Sequence, residues 1–476
     1  MATITKQIFE NNPLTYGVMI SEEDDRLDCA WFNPIIENRM EGLQRNKRND
    51  RKLVKLKVIA DISGGKRLPK GTVISENESS VIPYIRATDI KNLKVNLDTA
   101  IKIPKEIHQA IQSYQLKQDD IVITIVGTIG EAGILEENVD VCDFTENIAK
   151  VRIKNDSVLP LFLLHFLDSE FGKIQTERFS VGSLQYKLSL QSCRNLEIYL
   201  PFSGNSFDNY QQKRILNEVY SILKQVEKQR EDSDNYVREA KSIVVRKLGI
   251  FKDLDVQDKH HFEQVLDNDP SSRLDALFNN PLRETLLKIL RKYPNKQLGK
   301  LVKPQKNNKI TPSDFYRLVE LEQIDDSTGR IIEAKEVLEL GSEKILLNEG
   351  NILISKLQPE KGKVVIVSKK FDGCVGSSEL IPFVLNSYEV SLGYLWAVLR
   401  SDYILKQWEY ELTGSSRMRI GPNEINNTII PIPDKKTQDE IVAEIQNKIA
   451  ISDKILKEAD MLLSKAKEQF VKLLVS

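Results

Sequence analysis

Much of this chain is written twice. Arg26-Leu27-Asp28, leading into Trp31-Phe32-Asn33-Pro34, returns 247 residues later as Arg273-Leu274-Asp275, leading into Leu277-Phe278-Asn279-Asn280-Pro281. Asp120-Ile121-Val122-Ile123-Thr124 is answered by Asn351-Ile352-Leu353-Ile354-Ser355. Three further pairs share one displacement of 232 residues: Leu167–Phe171 with Leu399–Tyr403, Gly182–Leu188 with Gly414–Ile420, and Ile198–Pro201 with Ile430–Pro433. Gln212-Lys213-Arg214-Ile215 returns as Gln438-Asp439-Glu440-Ile441. Single matches of short apolar runs arise by chance, but a common order at a stable displacement is the mark of duplication. A repeat of nearly half the chain dictates two bodies of one fold in series.

Each copy reads as a mixed α/β body followed by one long helix. Asp120–Val126 and Asn351–Ser355 are short β-branched runs bounded by glycine or turn residues, which predicts buried strands. Leu161–Phe171 and Leu392–Tyr403 read as helices, and a last strand is expected to stop at Pro201 or Pro433. Residues 437–474 contain neither Gly nor Pro, and their apolar or small positions step by three and four through Val442, Ile445, Ile449, Ser452, Leu456, Ala459, Leu463, Ala466, Phe470 and Leu473. The first copy keeps that register through Leu216, Val219, Leu223, Val226, polar Arg230 and Ser233, then Val237, Ala240 and Val244, and stops at Leu248-Gly249. A helix of this length extends about 57 Å at 1.5 Å per residue, further than one body is wide, so part of it projects. The seams predict that the two helices pair as an antiparallel coiled coil with one body near each end and a pseudo-twofold axis. The expected divisions are a first body over 1–209, a helix over 210–249, a linker over 250–272, a second body over 273–435 and a helix over 436–476.

No catalytic constellation emerges. The histidines are His108, His165 and the His260-His261 pair, without metal-ligand spacing. There is no phosphate-binding G-x-x-x-x-G-K-[ST] loop, and Gly127-Thr128-Ile129-Gly130 lacks the third glycine of a dinucleotide site, so it reads as a tight loop. Asp314, Glu333 and Lys335 only loosely mimic a nuclease carboxylate–lysine set, and the other copy lacks them. The four cysteines are far apart, which fits a reducing cytoplasm. No apolar run approaches a membrane span, and the opening residues lack a secretory core, so a cytoplasmic protein is expected.

Charge carries more information. Lys+Arg is 68 against 69 for Asp+Glu, which excludes a broadly polybasic protein but not local basic patches. Residues 45–70 hold ten basic side chains against two acids, and residues 285–313 hold eight and no acid. A basic run is usually a solvated surface; its recurrence in both copies favours phosphate contact. The candidates are Lys66, Arg67 and Lys70 in the first copy and Lys303, Lys306 and Lys309 in the second, with Arg86 and Lys356 beside them. Base reading falls to loops that differ between copies, where Gln185, Tyr186 and Lys187 stand opposite Arg417, Met418 and Arg419. Arg can grip guanine through two hydrogen bonds, and Gln can grip adenine. These loops could equally do no more than cap the final strand.

Two tandem bodies, a Gly-Ser-x-x-x-x-[Leu/Ile] segment before an Ile-x-[Leu/Ile]-Pro strand, and a Gln-x-x-Ile helix start, all doubled, make the chain resemble the specificity subunits of type I restriction–modification systems. The motifs stand at Gly182-Ser183, Leu200-Pro201 and Gln212/Ile215, and at Gly414-Ser415, Ile432-Pro433 and Gln438/Ile441. One departure is Phe202–Tyr210, six residues longer than its counterpart. The resemblance implies two target-recognition domains, each reading one half of a bipartite sequence in double-stranded DNA. It also implies helices that act as a ruler and dock two methyltransferase subunits, and a motor–nuclease restriction subunit that cuts unmodified DNA. No cofactor is expected in this chain; S-adenosylmethionine, ATP and magnesium belong on the partner subunits, and no membrane is involved. A single-chain restriction enzyme would differ by cleaving alone with magnesium, and a non-DNA scaffold by showing no sequence-specific binding.

Overall fold

In a computed structural model, the structure describes residues 50–69, 80–112, 114–139, 141–180, 187–249, 278, 280–305, 310–414 and 418–476. The Arg-Leu-Asp boxes and the 250–272 linker lie outside them. The chain divides into two compact units, one of residues up to Glu227 together with Asp460–Ser476, the other of Lys228–Ala459. The division falls inside the two long helices, Asn209–Leu248 and Lys435–Val475, so each unit contains a stretch of both.

The first unit is built on a six-stranded sheet in the order Ala60–Gly64, Ile148–Ile153, Ile121–Thr124, Ala132–Ile134, Leu93–Val95, Ile90–Lys91. Ile121–Thr124 is buried along its whole length, as its continuous β-branched run requires of a strand covered on both faces. A smaller sheet pairs Ser80–Ile85 with Ile101–Pro104 and, in parallel, with Asp143–Phe144. The second unit repeats this plan. Its sheet runs Val302–Pro304, Leu380–Leu385, Ile352–Ser355, Val364–Ile366, and a second sheet again contains one parallel pair, Tyr316–Val319 with Val375–Ser377.

The expected single helix over Leu161–Phe171 is two, Pro160–Asp168 and Glu170–Phe179, and its counterpart splits into Leu392–Leu399 and Asp402–Glu411. The break falls on an extended serine in each copy. Ser169 Oγ donates to the Phe166 carbonyl and Ser401 Oγ to the Val398 carbonyl, both at 2.6 Å, which satisfies a carbonyl at the end of the first helix. Pro201 does not stop the last strand either. Glu197–Ser203 continues past it into a hairpin with Ser206–Phe207, closed by an edge-on contact of Phe202 and Phe207. The six additional residues of the first copy form this hairpin.

In the first unit, Ile215 and Val219 share one core with the body and with Phe470 and Leu474 of the second long helix. In the second unit, Ala240, Ile243 and Val244 share a core with Ile441, Ile445 and Ile449. There Lys247 meets Glu440, Lys448 meets Glu239, and Ser233 Oγ lies 2.7 Å from Ser452 Oγ. Partner numbers fall as helix numbers rise, so the two segments run antiparallel. Val226 is buried as well, while Leu216, Leu223, Val237, Val442 and Leu463 are half-buried. Leu456 departs from its expected seam position and is 38% exposed, and the last buried leucine is Leu474 rather than Leu473. A strict heptad repeat drifts about 20° per heptad against a straight helix of 3.6 residues per turn. The buried stripe of the second helix, from Gln438 to Leu474, follows the straight-helix period.

Candidate nucleic-acid interface

The central strand of each sheet ends in a buried hydroxyl that organises the loop after it. Thr124 Oγ1 bonds the Thr128 carbonyl and accepts the Glu131 amide, and Ser355 Oγ donates to the Leu357 carbonyl at 2.7 Å. In the first unit the loop turns through Gly127 and Gly130, both at positive φ. A Cβ on Gly130 would lie 2.5 Å from Thr176 Oγ1, so this turn needs glycine twice over.

A second loop is laid against the first in each unit by equivalent backbone bonds. Val126 bridges Lys187, and the Leu188 amide donates to the Ile125 carbonyl at 2.9 Å. Leu357 bridges Arg419, and the Ile420 amide donates to the Lys356 carbonyl at 3.0 Å. The sequence motif Gly-Ser-x-x-x-x-[Leu/Ile] thus ends where one loop is tied to the other.

Lys66, Arg67 and Lys187 come to this edge of the first unit. The Lys66 amide bonds the Phe144 carbonyl, and the Ile125 amide bonds the Asn147 carbonyl, which sets both segments level with the loop. Lys66 and Lys187 are exposed with no acidic partner among the described residues, while Arg67 Nε pairs with Glu146 at 2.5 Å. Lys356 and Arg419 hold the same edge of the second unit, Arg419 oriented by Glu379 at 2.7 Å. Gln358 stands exposed at the loop apex with φ +48, its amide bonded to the Met418 carbonyl. Gln358 is not legible as a site residue in the sequence, because the loops differ in length and nothing in the first copy lines up with it.

Two expected residues are placed elsewhere. Lys303 pairs across from Val384, level with Asn351 at the opposite end of the sheet, which sets it back from Lys356 by roughly 16 Å along the strand direction, at about 3.3 Å per residue. Arg86 closes a turn, its guanidinium already bonded to both Asp89 carboxylate oxygens and the Thr99 carbonyl. Lys70, Gln185, Tyr186, Lys306, Lys309 and Arg417 lie outside the described residues.

Among the described residues no group of three His, Cys, Asp or Glu side chains could hold a metal. Lys335 is held by Glu322 at 2.5 Å. Burial pushes the Cys142 and Cys193 thiols up to about 12, far from thiolate reactivity. No helix among the described residues is long and apolar enough to cross a membrane.

Residues 49–233 match the family model described as "Type I restriction modification DNA specificity domain". The chain is 27% identical over 148 residues to the type I restriction enzyme EcoBI specificity subunit of Escherichia coli, covering 31% of this chain and 30% of that protein. It is 23% identical over 199 residues to the MjaVIII specificity subunit of Methanocaldococcus jannaschii, covering 41% of this chain and 44% of that one. The matches therefore span less than half the length of these curated relatives. A solved type I restriction-modification S subunit from M. genitalium superposes over 90% of this chain and 97% of its own, with 11% identity and a TM-score of 0.36. Over residues 49–233, the chain is thus similar to type I restriction modification DNA specificity domains.

Proposed function

We propose that this chain is the non-catalytic specificity subunit of a cytoplasmic type I restriction–modification complex. Each body reads one half of a bipartite sequence in double-stranded DNA. The observation that carries the reading is the loop pair, bridged by the same backbone bonds in both units while its side chains differ. A constant frame with changed contents is what two half-sites of different sequence require. Lys66, Lys187 and Lys356 supply phosphate contacts, which give affinity and register without base information. Gln358 and Arg419 in the second unit, and the 181–187 and 415–417 segments, supply donors and acceptors for base edges.

The two long helices pair antiparallel over their length as a coiled coil and set the gap between half-sites. They also dock two methyltransferase subunits. S-adenosylmethionine is held on those subunits, ATP and magnesium on the motor–nuclease subunits, and no cofactor on this chain. The test is selection from a randomised duplex library by the chain assembled with its methyltransferase subunits. The expected product is a motif of two short blocks separated by a fixed number of unspecified base pairs. A library that stays random after selection would overturn the proposal.

A further inference from the structure

In both units a hairpin reaches from the body onto the helix that succeeds it in the chain. Each hairpin comes directly after a short turn closed by a capping box, Arg86 with Asp89 in the first unit and Glu320 with Gln323 in the second. Ile90–Lys91 pairs with Leu93–Val95, and Ile324–Asp325 with Arg330–Ile331. Each hairpin places one basic side chain on one acidic residue of the helix: Lys94 Nζ lies 2.5 Å from Glu227, and Arg330 Nη1 lies 2.6 Å from Asp453. Glu227 and Asp453 occupy the same place in their helices, fifteen residues beyond Gln212 and Gln438 respectively.

The tips differ, yet both are held firmly. In the first unit Asn92 and Leu93 sit at φ +54 and +64. A leucine rarely adopts that backbone, and here its side chain packs on the body's core. In the second unit the Arg400 guanidinium donates to the carbonyls of Asp326, Ser327 and Thr328, and Trp396 Nε1 donates to Gly329. Gly329 has φ +65, and a Cβ there would lie 2.5 Å from Arg400 Nε. The Glu227 hydrogen bond holds the Lys94 ammonium above the usual lysine range.

The spacing gives the contact its consequence. Each helix is rooted by its buried glutamine, and among the described residues the apolar core that it shares with its own body reaches out to Leu223 and Ile449. The hairpin contact comes one turn further out, about 22 Å from the root at 1.5 Å per residue. A rod held only near its root swings, whereas a rod held at two separated points keeps its direction. We propose that Lys94–Glu227 and Arg330–Asp453 are positioning braces that fix the angle between each recognition body and its helix, and so the gap between half-sites that the protein accepts. The second half of this inference rests on the chain's reading as a DNA specificity subunit; the first does not.

The experiment uses the full chain. Spin labels at Glu336→Cys and Lys457→Cys, both exposed positions, with Cys29→Ser, report the distance from body to helix in the second unit. The described native cysteines are buried. A single narrow distance is expected at low salt. Arg330→Asp broadens or shifts it, and Arg330→Asp with Asp453→Arg restores it. High salt broadens the unmutated distance, because an exposed pair is screened. In the assembled complex, Arg330→Asp accepts targets whose gap is longer or shorter by one step of about 3.4 Å, and the swapped pair returns to the original gap. An unchanged distance in Arg330→Asp, or no restoration by the swap, overturns the brace. A changed distance with an unchanged gap overturns its role in spacing. A complex that selects no sequence even without mutation refutes the DNA reading and leaves the distance result standing.

Discussion

Gln212 and Gln438 are fully buried, and each uses its carboxamide to complete the backbone of a loop in its own unit. Gln212 accepts the Leu159 amide at 2.9 Å and donates to the Ser157 carbonyl at 2.8 Å. Gln438 accepts the Ser391 amide and donates to the Glu389 carbonyl. Leu159 and Ser391 are the residues that open the buried helices, so the glutamine locks the root of each long helix to its body. Gln175 and Gln407 work alike, pairing with both backbone groups of Glu197 and of Ile429. Truncating Gln212 or Gln438 to Ala leaves a buried amide and carbonyl unpaired, at about 1–3 kcal/mol for each group. Either variant should lower the thermal midpoint by a similar amount, which calorimetry would read. The Gln-x-x-Ile motif was visible as a repeated pattern. Its task was not, because the backbone groups it serves come from residues about fifty positions earlier. The basic residues divide in the same way. Lys66 and Lys187 reach the loop edge, but Lys303, equally basic in sequence, is carried by strand register to the far end of its sheet. Lys356→Ala should therefore weaken DNA binding and lower the salt slope by about 0.9 for a lost phosphate contact, while Lys303→Ala leaves both unchanged in a salt titration.

The long helices are the elements most fully written in the sequence, since an uninterrupted apolar stripe without Gly or Pro has one regular solution. Gly249, at φ +66, ends the first of them as its sequence predicts. The misplaced seam position, Leu456, reflects a choice between periods of 3.5 and 3.6 that side-chain spacing alone leaves open over five heptads. Under the last turns of the second helix, His165 lies beside the Phe470 ring and faces Asp168 and Lys467. Burial holds its imidazole down at about 4, against an ordinary value of 6.5. Between those values the unfolded chain takes up a proton that the folded chain does not. Stability should therefore fall as pH drops from 6.5 towards 4, by up to about 1.4 kcal/mol per unit. His165→Leu should flatten that part of the pH–stability curve, as denaturant titrations at several pH values would record. The first helix also offers a length test. Four residues inserted after Gln229 add about 6 Å and turn the downstream half of the helix by roughly 40°. The preferred gap should lengthen by one or two base pairs with both half-site sequences retained, read from the methylation motif.

At the scale of the molecule, duplication dictates two bodies and two helices, and the structure carries the repeat into its hydrogen bonds. Ser169 and Ser401, Thr124 and Ser355, and the two clamp glutamines do matching work at matching positions. The copies differ at the loop pairs, and there the sequence was least informative, because loops tolerate changes of length and residue that buried strands and helices do not. If each loop pair chooses one half of a bipartite target, exchanging one loop should rewrite one half alone. The direct measurement is genome-wide adenine methylation in cells supplying the methyltransferase subunits, with either the natural chain or one whose residues 413–420 are replaced by its own 181–188 segment. The natural chain should yield a two-part motif with a fixed gap, and the replacement should change one half while the other half and the gap stay as they were. Methylation that does not depend on this chain, or a replacement that alters both halves together, would contradict it.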